Sequence, residues 1–238
     1  MAKQLNQHFI GRIGNLIYYE LNGGYYIRSV PVKVKQHPAS KVASSNLSIA
    51  SATGKRLRLL LEPVLPVKKS KTMQNRFSGS IMRWLNQQQP QRLPAGGELP
   101  CLQHFLFNEA TSVKERWKID MQVTRKGNQL QHLHLPAFVP KGCITAPAHT
   151  KRVECTITAA ACMLQTDDAM TSFTFKMEIP YNAAPIPAQT INLPVAIPAG
   201  GWAVVAIALT YLTGKKGSPT ACTNAAFMPS EIIAAMQL

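Results

Sequence analysis

"VECTITAAACML" runs from Val153 to Leu164, and its period decides the fold. Val153, Cys155, Ile157, Ala159, Ala161 and Met163 occupy every second position. Successive side chains on a strand point to opposite faces, so this alternation predicts a β-strand with one face against a core. Its neighbours repeat the pattern. "WKIDMQVT" sets Trp117, Ile119, Met121 and Val123 against Lys118, Asp120, Gln122 and Thr124; "RKGN" turns the chain and "LQHLHL" returns. "SFTFKMEI" places Phe173, Phe175, Met177 and Ile179 in step, and "TINLPVAI", "GWAVVAIALTYL" and a short run near Ala221–Phe227 follow. About seven strands in about 135 residues, separated by turn residues, predict an Ig-like antiparallel β-sandwich over residues 101–238.

Upstream the period changes. In "PASKVASSNLSIASATGKRLRLLLEP", Ala43, Leu47, Ala50, Gly54, Leu57 and Leu61 recur at alternating spacings of four and three, the stripe of a helix. Ala50 and Gly54 keep the stripe narrow enough for another backbone to approach. Ser40 is the expected N-cap and Pro63 the expected stop. A second helix is expected from Lys71 to about Gln89, with Met73, Phe77, Ile81, Trp84 and Leu85 on one side. Asn86–Pro100, "NQQQPQRLPAGGELP", has linker composition. The fold class expected is therefore α+β: a hairpin with two basic helices in 1–92, a linker at 93–100, and the sandwich at 101–238.

The hairpin is "GNLIYYELNGGYYIRSVPV", Gly14–Val32. Asn-Gly is a strong two-residue turn signal, although Asn22-Gly23 and Gly23-Gly24 are both open on sequence alone. Apolar and aromatic groups fall on both faces, so each face needs a cover. Tyr18, Tyr19, Tyr25, Tyr26 and Arg28 are the expected contacts of an interface between subunits, because tyrosine combines a large rigid ring with a hydroxyl. Gly11, Gly14, Asn15 and Tyr19, followed by Gly23, Gly24, Tyr25 and Arg28, make a pattern that resembles uncharacterised protein families common in Bacteroidota. The resemblance covers about the first 90 residues. It implies a glycine-rich hairpin followed by a helical segment and brings no activity with it.

The formal charge is +15 over 238 residues and is uneven. Residues 1–92 hold 15 Lys and Arg against Glu20 and Glu62, a balance of +13; residues 93–238 hold 11 against 9, a balance of +2. Lys55, Arg56, Arg58, Lys68, Lys69, Lys71, Arg76 and Arg83 lie on or between the two helices and are the expected contacts for nucleic acid or an acidic protein surface. No phosphate-binding or nucleophile-elbow motif occurs, and eleven acids supply no paired-carboxylate arrangement beyond Asp167-Asp168 in a turn. The chain is expected to be no enzyme and to need no cofactor. His132 and His134 share a strand face, and His104, His149 and Cys143 are the residues that could join them at a metal; a polar solvent face is the expected reading.

The five cysteines form no C-x-x-C pair, and the N-terminus has no secretory signal pattern, so reduced thiols and cytoplasmic synthesis are expected. No membrane span is expected either. The uncharged run Pro180–Gly214 contains Pro185, Pro187, Pro194 and Pro198, and its densest apolar part is shorter than the roughly 20 residues a spanning helix needs. These features favour a structural subunit that assembles with itself into a homo-oligomer, a filament or a phage-like particle. The alternative is sequence-nonspecific nucleic-acid binding through the basic N-terminal part.

Overall fold

A computed structural model describes residues 3–5, 8–30, 37–66, 70–87, 97–164, 166, 170–214 and 220–238. The chain divides into two compact units, Met1–Val42 and Ala43–Leu238.

The first unit is one antiparallel sheet of four strands in chain order: β1 (Lys3–Leu5), β2 (His8–Ile13), β3 (Leu16–Leu21) and β4 (Gly24–Ser29). The expected hairpin is its second half. Asn22 and Gly23 have φ of 51° and 77°, and Leu21 pairs with Gly24, so Asn22-Gly23 is a type I′ turn and the open register is resolved. A second tight turn at Gly14-Asn15 joins β2 to β3, with Gly14 at φ 58°. The segments of β1 and β2, "KQL" and "HFIGRI", are too short and too irregular in polarity to announce themselves as strands.

The second unit contains most of α1 (Pro38–Leu60), then α2 (Lys71–Gln87), β5 (Gly97–Glu98), α3 (Val113–Arg116), β6 (Gln122–Lys126) and β7 (Gln129–Leu135). There follow α4 (Pro140–Cys143), β8 (Thr150–Cys162), β9 (Thr171–Pro180), β10 (Gln189–Ala196), β11 (Trp202–Thr213), β12 (Thr220–Ala221) and β13 (Ser230–Gln237). The larger sheet runs β5-β13-β11-β8-β9, with β12 also on β11; the smaller runs β10-β7-β6. All pairings are antiparallel. The protein is thus α+β and mostly strand, in three antiparallel sheets.

The strand quoted first is β8, near the centre of the larger sheet. Val153, Cys155, Ile157, Ala159 and Ala161 face an apolar core shared with Leu133 and Leu135 of β7 and with Ile191, Leu193 and Val195 of β10. Trp117, Ile119 and Ile179 are buried in this core, while Met121, Val123, Phe173, Phe175 and Met177 are partly buried against it. All eight lie on the expected side. Trp117 and Ile119 precede the strand proper, which begins at Gln122.

The opposite face of the larger sheet is equally buried. Ala160, Cys162, Trp202, Val204, Ala206 and Ile232 join Leu57, Leu61, Met73, Phe77, Ile81 and Trp84 in a second core. The Trp84 and Trp202 rings meet edge to face at 5.1 Å. Thr53 Oγ1 and Arg56 both donate to the Leu164 carbonyl at 2.8 Å, and the Ser230 hydroxyl donates to the Val64 carbonyl. The helices therefore pack on the larger sheet. Sequence composition suggested a boundary at 93–100; the compact units instead meet between Val42 and Ala43, because the helical stripe is part of this second core. Of the linker, Gly97–Glu98 pairs with the end of β13, and 93–96 lie outside the described residues.

Three local expectations change. α1 begins at Pro38, so Ser40 is inside the helix rather than capping it. Its stripe is buried only from Ala50 onward; Leu47 is 50% exposed, near where Asn46 bonds to Asn86 at the end of α2. The strand expected at Ala221–Phe227 is two residues of β12 followed by a 3-10 turn, and the C-terminal strand is β13, whose "SEIIAAMQ" is apolar on both faces and so shows no alternation.

Ile157 is fully buried between Ile207 of β11 and Phe175 of β9. Ile157→Ala is expected to cost about 2–5 kcal/mol, and Phe175→Ala on the half-buried outer strand distinctly less, measured by urea unfolding. A loss below about 1 kcal/mol at Ile157, with folding otherwise intact, would show that the inward face has been assigned wrongly.

Candidate functional site

The N-terminal sheet carries the tyrosine cluster. Tyr19 pairs with Tyr26 across β3 and β4, and their rings stack at 5.8 Å. Arg28 lies 5.6 Å over the Tyr19 ring on the same face. Tyr18 pairs with Ile27, and Phe9 meets Tyr18 edge to face at 6.1 Å; Tyr25 pairs with Glu20, and His8 stacks on it at 3.7 Å. The four tyrosines thus divide by alternation, Tyr19 and Tyr26 on one face and Tyr18 and Tyr25 on the other.

Among the described residues the strands of this unit form a single layer. Leu21 is 55% exposed, Tyr26 50% and Ile27 61%. Isolated apolar residues on a surface are ordinary; one small sheet that exposes Phe9, Ile13, Leu16, Tyr25 and Ile27 on the Tyr18 face and Leu21 and Tyr26 on the Tyr19 face is not.

The basic residues have divided roles. Arg56 is held on the Leu164 carbonyl. Arg58 reaches Ser78 Oγ at 3.5 Å across the close approach at Gly54, and burial lowers its pKa. Arg76 lies 3.2 Å from the Glu109 carboxylate, donates to the Leu106 carbonyl at 3.0 Å and sits 5.2 Å over Phe105. These three cations hold the helices to their surroundings. Lys55, Lys71 and Arg83 are exposed. Lys68 and Lys69 lie outside the described residues, as do Asp167 and Asp168.

His132 and His134 lie on the outer face of the smaller sheet, rings 6.0 Å apart, with His134 Nδ1 3.1 Å from Thr190 Oγ1. Among the described residues no group of three or more His, Cys, Asp or Glu side chains could hold a metal ion. His104 is engaged elsewhere. Its Nδ1 lies 3.0 Å from Glu231 Oε1, and Glu231 Oε2 accepts the Val113 N–H at 2.9 Å. The Glu231 side chain is only 6% exposed, so its carboxylate needs both partners. His104 adopts a left-handed φ of 58° in making this clasp, which ties the 99–107 loop and α3 to β13. A cavity of about 470 Å³ adjoins the clasp, lined also by Trp117, Ile119 and Met121; another of about 630 Å³ lies by Met73, Phe107, Leu209 and Met228. Sequence reading missed the clasp, because a lone glutamate in an apolar strand is its only signal.

Among the described residues no helix is long and apolar enough to cross a membrane. No family model, no curated protein and no solved structure matches the chain.

The cysteines are all free thiols. Burial pushes Cys101 up to about 12, with a backbone hydrogen bond opposing, and Cys162 up to about 11, with Arg56 opposing; Cys155, fully enclosed, rises further. Below pH 9 these groups are protonated folded or unfolded and cost nothing. As pH rises from about 9 toward 12, the unfolded chain releases their protons first, so stability falls across that window. At pH 8 a thiol reagent is expected to label Cys143 and Cys222 on the native protein, and the other three only after unfolding. Native labelling of Cys155 would show that the core between the sheets is open.

Proposed function

We propose that the protein is a non-enzymatic structural subunit that assembles with itself, using the N-terminal sheet as its contact surface. The single observation that supports this most is that sheet: among the described residues it is one layer, with apolar groups exposed on both faces. Sheets in water ordinarily hide at least one face, so such a layer favours burial against another molecule. A second copy is always present at matching concentration and carries the same patch, as a closed symmetric oligomer needs. Tyr18, Tyr19, Tyr25, Tyr26 and Arg28 are the contacts. In this reading residues 101–238 form an Ig-like sandwich that gives the subunit its rigid body.

Nucleic-acid binding is the second reading, favoured by the charge of +15 and by exposed Lys55, Lys71 and Arg83. It is weakened because Arg56, Arg58 and Arg76 are occupied within the fold. Contacts to phosphate also fade with salt, whereas burial of aromatic faces does not.

Light scattering after size exclusion separates the two. The full chain is expected to be oligomeric without DNA at both about 50 and about 200 mM salt, the range over which phosphate contacts weaken. Tyr26→Lys, and deletion of residues 1–35, should give monomers that keep the main thermal transition. A full chain that is monomeric alone and shifts only with DNA, most strongly at low salt, would overturn the assembly reading in favour of the second.

A further inference from the structure

Resting on the assembly reading, the geometry points to its mode of contact: we infer that two copies join edge to edge through β4, antiparallel about a two-fold axis centred on Ile27, making one continuous eight-stranded sheet.

The sheet has two edges. β1 is three residues long and carries Lys3, features that blunt an edge against pairing. β4 is six residues, "GYYIRS", with a single charge. Its backbone groups can be sorted from the β3–β4 ladder. Val30 N–H donates to the Asn15 carbonyl at 2.7 Å just beyond the strands, and Leu21 and Gly24 close the two-residue turn at the other end. In an antiparallel pair the hydrogen-bonded positions alternate, so Gly24, Tyr26 and Arg28 turn their N–H and C=O toward β3. Tyr25, Ile27 and Ser29 therefore turn theirs to the open edge, where no other strand of the sheet lies among the described residues.

These outward groups are self-complementary. With the axis at Ile27, Ile27 pairs with Ile27 of the second copy, and Tyr25 pairs with Ser29 of the second copy, and the reverse. Every outward N–H and C=O of the strand is used. A two-fold axis normal to the sheet keeps each face continuous, so Tyr26 stands opposite Arg28 of the second copy, a ring against a guanidinium. The adjacent symmetric registers are worse. Centring on Tyr26 leaves Ser29 beyond the partner strand, and centring on Arg28 sets two guanidinium groups side by side. The fused sheet keeps two apolar faces of double the area, which suits further stacking.

The full chain carries the test. Ile27→Pro removes an N–H that faces the open edge and none that faces β3, and proline is tolerated on an edge strand in that orientation. It is expected to raise the dimer dissociation constant at least about tenfold relative to Ile27→Ala, which loses the side chain but keeps the N–H. Ile27→Cys is expected to form a disulfide-linked dimer on mild oxidation, since directly opposed Cα atoms in a hydrogen-bonded pair lie about 5.5 Å apart, within disulfide reach. The parent chain and Tyr26→Cys serve as controls and should not link. If the protein is oligomeric but Ile27→Pro matches Ile27→Ala and Ile27→Cys does not link, the edge pairing is wrong and assembly by the sheet faces stands. If the parent is monomeric at every concentration, both the pairing and the assembly reading fall.

Discussion

The pairing of β8 with β11 governs the larger unit. The two strands run side by side from Thr150 to Cys162 and from Trp202 to Thr213, and most of their residues are buried on both faces. A doubly buried pair of strands must be covered twice. The smaller sheet covers one face, and α1 and α2 cover the other. Small residues make the second cover possible. Ala160 and Ala206 on the strands, with Ala50 and Gly54 on α1, leave room for Trp84, Trp202, Phe77 and Ile81 to fill the space between helix and sheet. The absence of charge from Trp202 to Thr213 follows from the same burial, because an unpaired charge there would have no water and no counter-ion.

Polar groups inside this unit are few and most are bonded; the Trp117 and Trp202 indole N–H groups and His132 Nδ1 are buried without a hydrogen-bond partner. Thr53 and Arg56 satisfy the Leu164 carbonyl as the chain leaves β8. Tyr211 donates its hydroxyl to the Thr145 carbonyl, and burial raises its pKa. Glu231 sits on a core strand yet keeps both oxygens bonded, one to His104 and one to the first N–H of α3. These bonds fasten irregular segments to the sheet. They also explain why a chain with 26 Lys and Arg presents fewer free cations than its composition suggests, since several arginines hold carbonyls, carboxylates or rings of their own fold.

The N-terminal unit obeys the opposite economy. Its backbone is well specified by two tight turns with glycines at positive φ, and its ring pairs are in register. Among its described residues it is a single four-stranded layer, and both faces expose aromatic and apolar side chains.

Much of this was legible in the residues alone. Period two at Val153–Ala161 and at Phe173–Ile179 identified inward faces, because strand geometry admits no other arrangement of alternating side chains. The helical stripe Met73, Phe77, Ile81, Trp84 and Leu85 was legible for the same reason, and every member is buried. Asn22-Gly23-Gly24 marked a turn between two tyrosine pairs, and the strand register then chose Asn22-Gly23. Tertiary structure decided the rest. Periodicity says which residues share a face but not what lies against it, so the second burial of β8 and β11, and the membership of the helices in that core, could not be read from spacing. Nor could β13, whose two buried faces erase alternation. The tyrosines of the candidate site stood out by type, but their division between faces and the choice of β4 as the open edge came from register, which depends on contacts between strands rather than on order along the chain.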